Sequence, residues 1–345
     1  MLDPTLAAAR AGYHRRTLAP SRVFRRSLVV GLIVMGIVVA VLWVLPSGSY
    51  IFLPDPALSA DAVVHVPGEK PGREKGGIYF LEVHIRKASL LERLIPSIRK
   101  GASIVSANAY NPEKLSPGKL HEISREQMST SQLLAIAVAL QSLGYEVPAT
   151  GAEVVAVREG YPAAGRVHLG DVIIAAGGIA VASPDELARA MDPVKPGQTV
   201  SLRLLRKGKP QELALRTRPA PGEPDRAIFG ITVQPKLKFP LAIRINAGGI
   251  GGPSAGLAFA LDVVDELDGD LDKGRKVAVT GALELDGTVD PIGGIKQKTF
   301  GARESGASVF IVPEENAAEA RSYADGLTIV PVTSFRQALA YLRTS

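Results

Sequence analysis

The chain contains no cysteine. That excludes disulfides, thiolate metal sites and a cysteine nucleophile. Histidine is scarce: His14, His65, His84, His121 and His168 are scattered, and no pair stands at a metal-ligand spacing. No Gly-x-x-x-x-Gly-Lys-Ser/Thr occurs, so there is no phosphate loop for ATP-driven work. Aromatic residues make up only 5 % of the chain, and beyond the first 26 residues none are interleaved with a basic patch. Nucleic acid is therefore not an expected partner. No cofactor and no metal are expected.

The net charge of +6 is unevenly placed. Arg10, Arg15, Arg16, Arg22, Arg25 and Arg26 face one acid, Asp3, within the first 26 residues, and the rest of the chain is nearly neutral. Directly after this block comes an uncharged and almost wholly apolar stretch, SLVVGLIVMGIVVAVLWVL, residues 27–45. As a helix rising ~1.5 Å per residue it would reach about 28 Å, enough to cross a hydrocarbon core. Arginines before it hold that end in the cytoplasm, and Trp43, Tyr50 and Phe52 suit an interfacial belt beyond it. A cleaved signal peptide is the alternative, but no small-x-small site follows the run. The expectation is a single-pass cell-membrane anchor with an extracytoplasmic body.

A length of 345 residues suggests two domains or more. GGIYFLEVHIR (76–86) reads as a strand. SLLERLIPSIRKG (89–101) is amphipathic but broken by Pro96. STSQLLAIAVALQSLG (129–144) has capping residues, helical spacing and a terminal glycine. From residue 145 the texture changes to short β-branched runs: EVVAV, DVIIAAGG, TVSLRLLR and QELALRT. One helix, SPDELARAM, opens on a Ser–Pro signal, and RKGKP reads as a hairpin. Gly165, the pair Gly170–Asp171 and the later PGQTVSLRLLRKG resemble a PDZ domain of the bacterial type, over residues 143–218. The resemblance implies capture of extended peptides along a sheet edge. Its peptide-binding loop would fall on Leu143, Gly144, Tyr145, Glu146 and Val147.

After the link PAPGEPD come strands FGITVQP and FPLAIRINAG, then GGIGGPSAGLAFAL (249–262). Glycines and Pro253 around Ser254 read as a tight loop entering a helix. Leu257, Leu261, Val264 and Leu267 share one face of that helix, with Asp262, Asp265 and Glu266 mostly elsewhere. Its unpaired N–H groups and positive dipole end suit an oxyanion hole built on Gly252, Pro253 and Ala255. A serine cap is the plainer account. A nucleophile needs a base, and no histidine follows Ser254. A lysine kept neutral by a dry site can serve. PIGGIKQKTFGAR offers Lys296 and Lys298, which point apart on a helix. Lys298 shares a face with Ile295 and Ala302, while Lys296 aligns with Phe300 and Arg303. VTGALELDGTVDPIGG reads as two strands around an Asp–Gly turn.

GPSAG, a Thr–Gly about 26 residues later and PIGGIKQK together resemble the proteolytic domain of Lon proteases. The resemblance implies a Ser254–Lys298 dyad assisted by Thr280, and a fold of class α+β: a Lon-type proteolytic domain interrupted by the PDZ module. The layout is then a basic tail (1–26), a transmembrane helix (27–46), a first protease segment (47–142), the PDZ domain (143–218) and a catalytic segment (219–345). It is similar to membrane-anchored PDZ and Lon-like proteases without an ATPase module. Where that family often has an acid three residues before the serine, this chain has Gly251. The expected function is an ATP-independent serine endopeptidase acting on proteins or peptides, with a homo-oligomer left open. The rival is an inactive, membrane-tethered PDZ scaffold, against which stands the joint presence of Ser254, Lys298 and Thr280.

Overall fold

A computed structural model describes residues 22–68 and 76–345. Residues 1–21, which hold most of the basic tail, lie outside that range. Helix α1 covers Arg22–Val44. From residue 29 to residue 44 it is exposed along almost its whole length, with Leu42 half-buried. Among the described residues no helix is long and apolar enough to cross a membrane.

Strand β1 (Pro46–Pro54) follows, then β2 (Leu58–Ser59), β3 (Gly77–Phe80) and β4 (Val83–Ser89). The stretch read as one strand, 76–86, is therefore two strands in different sheets. They break at Leu81–Glu82. The short helix α2 (Leu90–Leu94) is fixed by a capping box between Ser89 and Glu92 and stops before Pro96, as the proline requires. With β5 (Ser103–Ser106), strands β4 and β1 make an antiparallel sheet of order β4-β1-β5.

Helix α3 (Pro117–Ser142) starts well before the expected residue 129. Ser116 caps it and Pro117 opens it. The added part is largely solvent-facing and so lacks apolar periodicity.

Next comes the β-rich module: β6 (Ala149–Val157), β7 (Val172–Ala176), α4 (Pro184–Met191), β8 (Thr199–Arg206), β9 (Lys209–Arg216) and β10 (Ile231–Leu237). Their order is β9-β8-β7-β6-β10. Ser183 caps α4, and Lys207–Gly208 turn between β8 and β9 with positive φ. Buried Asp171 accepts from Arg206 at 2.7 and 2.9 Å, tying the Gly–Asp turn to β8. Strand β10, which lies beyond residue 218, completes this sheet as the antiparallel neighbour of β6.

The remaining elements are α5 (Gly256–Asp268), β11 (Lys276–Val279), the hairpin β12 (Ala282–Leu283) and β13 (Val289–Asp290), α6 (Ile295–Glu304), β14 (Val309–Pro313), α7 (Glu314–Arg321), β15 (Thr328–Val332) and α8 (Phe335–Thr344). A mainly parallel sheet, β2-β3-β11-β14-β15, is covered on both faces. Val277 and Val279 point toward α5, α3 and α8, and Ala278 points toward α6 and α7, as strand alternation demands. Phe80 and Phe259 meet edge to face, 5.2 Å between centroids. Helix α5 is not the one-faced helix the sequence suggested. Asp262 and Asp265 are buried along with its leucines and valines, because α5 is enclosed between the sheet and α3.

Candidate active site

Ser254 lies in the turn just before α5. Gly252 N–H donates to Ser124 O (2.8 Å) and Ser131 Oγ donates to Pro253 O (3.0 Å), both acceptor and donor coming from α3. Gly281 N–H donates to Ser254 O (2.9 Å), and Leu257 N–H donates to Gly281 O (3.2 Å). The nucleophile loop is thus held between α3 and the end of β11. Gly251 packs against Ser124, where a Cβ would stand 2.1 Å from Ser124 Oγ, so a larger residue there would require the serine hydroxyl to turn away.

The serine is not a helix cap. Ala255 occupies that position, and no side chain caps α5. Ser254 Oγ instead lies 2.7 Å from Lys298 Nζ, which donates to it. Lys298 is 3 % exposed, on the inner face of α6. Its Nζ also donates to Leu81 O (2.7 Å) and Thr280 Oγ1 (3.2 Å). Thr280 Oγ1 in turn donates to Ser254 O (3.0 Å). Burial pushes the Lys298 ammonium down from an ordinary 10.5 to about 7, partly opposed by the charge of Glu82. Lys296 points away: its Nζ donates to Ala102 O (2.9 Å) and sits over the Tyr323 ring.

Four residues of this site carry no sequence signal. Leu81 contributes a carbonyl, which any residue could do, at the break between β3 and β4. Glu82, beside it, is half-buried. Burial, and then the Asp55 charge, push its carboxyl up, while Lys298 and His84 pull it down. Ser124 and Ser131 reach the loop from one side of α3, seven residues apart, and only the folded packing gives that spacing meaning. Of the three residues assigned to the loop, Gly252 spends its N–H on Ser124, Pro253 has none, and Ala255 stands at the helix start. Among the described residues no group of three or more His, Asp or Glu side chains could hold a metal.

The peptide-binding loop placed at 143–147 is corrected by the fold. Leu143, Gly144 and Tyr145 donate their N–H groups back to carbonyls of α3, with Gly144 at φ +85°, so they cap that helix. Val147 is buried and Glu146 exposed. Strand β10 is one of the two edges of the module's sheet, pairing with β6 on one side only, and β9 is the other. Facing it, α4 encloses a cavity of about 790 Å³ lined by Leu187, Met191, Phe229, Gly230, Ile231 and Val233, among others. The groove begins at Ile228–Phe229–Gly230–Ile231. Gly230 has φ +79°, and a Cβ there would fall 2.2 Å from Tyr161 Cβ, so only glycine fits. The sequence signal for this loop was FGI in FGITVQP, read as an ordinary strand start.

Residues 127–217 match the PDZ domain family. Residues 234–343 match the Lon protease (S16) C-terminal proteolytic domain. The Lon protease of Rickettsia bellii is 35 % identical over 124 residues, 34 % of this chain and 16 % of that protein. Lon protease 2 of Bacillus subtilis is 38 % identical over 100 residues, 28 % of this chain and 18 % of that protein. The chain thus spans less than a fifth of these curated relatives. The PDZ domain of an SdrC-like protein from Listeria monocytogenes is 26 % identical, with 26 % of this chain and 93 % of that one covered, at a TM-score of 0.24.

Proposed function

We propose that this chain, which contains a serine-peptidase domain of the Lon type and a PDZ domain, is a membrane-anchored, ATP-independent endopeptidase working through a Ser254–Lys298 dyad. One observation carries the reading: a buried lysine, its pKa brought to about 7, with its nitrogen 2.7 Å from a loop serine. A neutral amine has two N–H groups and one lone pair. Leu81 O and Thr280 Oγ1 take the two N–H groups, and the lone pair then faces Ser254 Oγ. Thr280 spends its own proton on Ser254 O, so toward Lys298 it can only accept. The carbonyl of Leu81 and the hydroxyl of Thr280 therefore set the direction of proton transfer.

The reaction follows. Lys298 takes the Ser254 Oγ proton as the oxygen attacks a peptide carbonyl. The amides of Ser254 and Ala255 at the head of α5 receive the oxyanion, the remaining donors once Gly252 and Pro253 are set aside. The lysine ammonium passes its proton to the leaving amine. Lys298, neutral again, draws a proton from the water that attacks the acyl-serine and returns it to Ser254 Oγ as the acyl–oxygen bond breaks and the acid product leaves. The half-buried Glu82 steadies the transient ammonium.

The PDZ groove between β10 and α4 recruits or senses substrate peptide segments added to the β10 edge. The anchor rests on the uncharged run 27–45 behind a block of arginines. ATP independence rests on the absence of a phosphate loop in this sequence and on an extracytoplasmic body. Incubating the detergent-solubilised full chain with a peptide library, read by mass spectrometry, tests the enzyme. Internal cleavages that vanish with Ser254→Ala support it. A wild-type chain that cuts nothing while still binding peptide at the PDZ groove would make it a scaffold.

A further inference from the structure

Away from the dyad, residues 93–100 (Arg-Leu-Ile-Pro-Ser-Ile-Arg-Lys) are exposed without interruption. Leu94, Ile95 and Ile98 show 67, 48 and 41 % of their surface to solvent. Among the described residues outside α1 and the adjoining Leu45, the other exposed large apolar residues stand singly along the chain, at Leu58, Ile85, Tyr145, Leu169 and Ile179. The three side chains are gathered by local structure. The Ser89–Glu92 capping box fixes α2, and Pro96 ends it and starts a single turn of 3-10 helix over Pro96–Ile98. Arg93, Arg99 and Lys100 flank them.

The stretch is rooted at the end of α1. Leu90 N–H donates to Leu45 O (2.9 Å), and Ser47 Oγ donates to Ala88 O (2.8 Å). The Arg99 guanidinium lies 5.1 Å from the centre of the Trp43 ring. Buried Glu92 bonds Arg86 (2.6 Å) and Arg99 (3.3 Å), which fixes Arg99 over that ring. The same part of the chain is bolted to the catalytic helix. Lys296 Nζ donates to Ala102 O, and Gln297 Nε2 donates to Gly101 O and Ser103 Oγ, each at 2.9 Å.

We infer that residues 93–100 are an interfacial wedge that seats in a bilayer surface beside α1, with Leu94, Ile95 and Ile98 at the acyl boundary and the three basic residues among anionic headgroups. The inference rests on the reading of α1 as an anchor. Apolar side chains with flanking arginines and lysines, next to a tryptophan at a helix end, fit the depth and charge of that layer. Three side chains are too few for a second protein copy, since a stable interface buries roughly 800 Å² per partner. Two attachments, α1 and the wedge, would hold the dyad at one height and orientation over the membrane, where a lone helix would leave the body free to tilt.

Trp43 is the only tryptophan, so it reports the anchor, and a transferred tryptophan reports the wedge. The full chain is reconstituted in phosphatidylglycerol-containing vesicles whose lipids are brominated either near the headgroup or near the midplane. Three proteins are compared: wild type, Trp43→Phe/Ile95→Trp and Trp43→Phe/Leu169→Trp, the last placing the probe on the exposed turn before Gly170–Asp171 of the PDZ module. Headgroup-proximal bromine should quench the Ile95→Trp protein about as strongly as wild type and leave the Leu169→Trp protein unquenched. Replacing Arg93 and Lys100 by glutamate should reduce the quenching at position 95. Quenching of Trp43 with none at position 95 overturns the wedge and leaves the anchor standing. A blue-shifted, unquenched probe at position 95 would place it between protein copies and also overturns the wedge. No quenching at Trp43 overturns the anchor reading, and the wedge survives it only if position 95 is still quenched.

Discussion

Lys298 is the residue on which the proposed chemistry turns, and its burial leads to two measurable behaviours. As a base it must be neutral. Its pKa of about 7 predicts that kcat/KM rises with pH through that value and levels off above it, absent in Ser254→Ala. Arginine stays protonated at any workable pH, so Lys298→Arg should lower kcat by about 10³-fold or more while keeping the charge. Lys296→Arg should change it little, because Lys296 bonds Ala102 O on the other side of α6. Thr280→Ala should fall between, roughly ten- to a hundredfold down, the value of one hydrogen bond to a charged group.

The second behaviour is stability. The folded-state pKa lies below the unfolded one, so between about 7 and 10.5 the unfolded chain binds the extra proton and stability rises with pH. Below that window the cost of the buried amine is fully present. Lys298→Met should therefore raise Tm at neutral and acid pH, and the gain should vanish towards pH 10.5. Thermal unfolding across pH checks this, and a gain that grew with pH would contradict the burial account.

Among the elements, β10 has the most to explain. It reads in sequence as the first strand after a proline-rich link, and it folds as the edge of the PDZ sheet. The difference lies in pairing. A short β-branched run such as ITV will add to any free edge, and β6 offered one. The outer edge of β10 and the side of α4 then make the groove. Met191→Glu, a charge placed on the apolar wall of that groove, should weaken capture of peptide or protein substrates about tenfold or more. It should leave cleavage of small unstructured peptides near wild type, since the dyad lies elsewhere. Fluorescence-anisotropy binding set beside peptide turnover separates the two.

For the whole molecule, the register of β10 says where the module can be cut out. Leu237 pairs with Ala149, and Lys238 N–H donates to Pro148 O at 3.1 Å, so the two ends of 149–237 are adjacent. Excising that span with a short glycine–serine join should leave a cooperatively melting peptidase domain, because nothing long has to be bridged. Excising 146–218 should not. It strands β10 with its partner β6 removed, an apolar edge prone to aggregate. Expression and melting of the two deletions, compared side by side, would settle the boundary.

Ser254, Lys298 and Thr280 were legible because their chemistry is tied to side-chain type and to short motifs, GPSAG, TG and GGIKQK. The PDZ hairpin, its capped helix and the uncharged run before residue 46 were legible for the same local reasons: turn glycines, cap serines and hydropathy act within a few residues. What only the tertiary structure decided depends on contacts far apart in the chain. Leu81 gives a backbone carbonyl, which leaves no mark in sequence, and it reaches Lys298 because β3 ends where it pairs beside β11. Gly251 lies against Ser124 of α3, a neighbour 127 positions away in the chain that no motif announces. Helix α5 looked amphipathic and is enclosed, since hydropathy shows which faces are apolar and not how many neighbours arrive. The amides of Leu143, Gly144 and Tyr145 cap the end of α3, and the cavity of the module lies instead beside β10. Strand pairing is chosen by whichever edge is open, and only the assembled sheet reveals it.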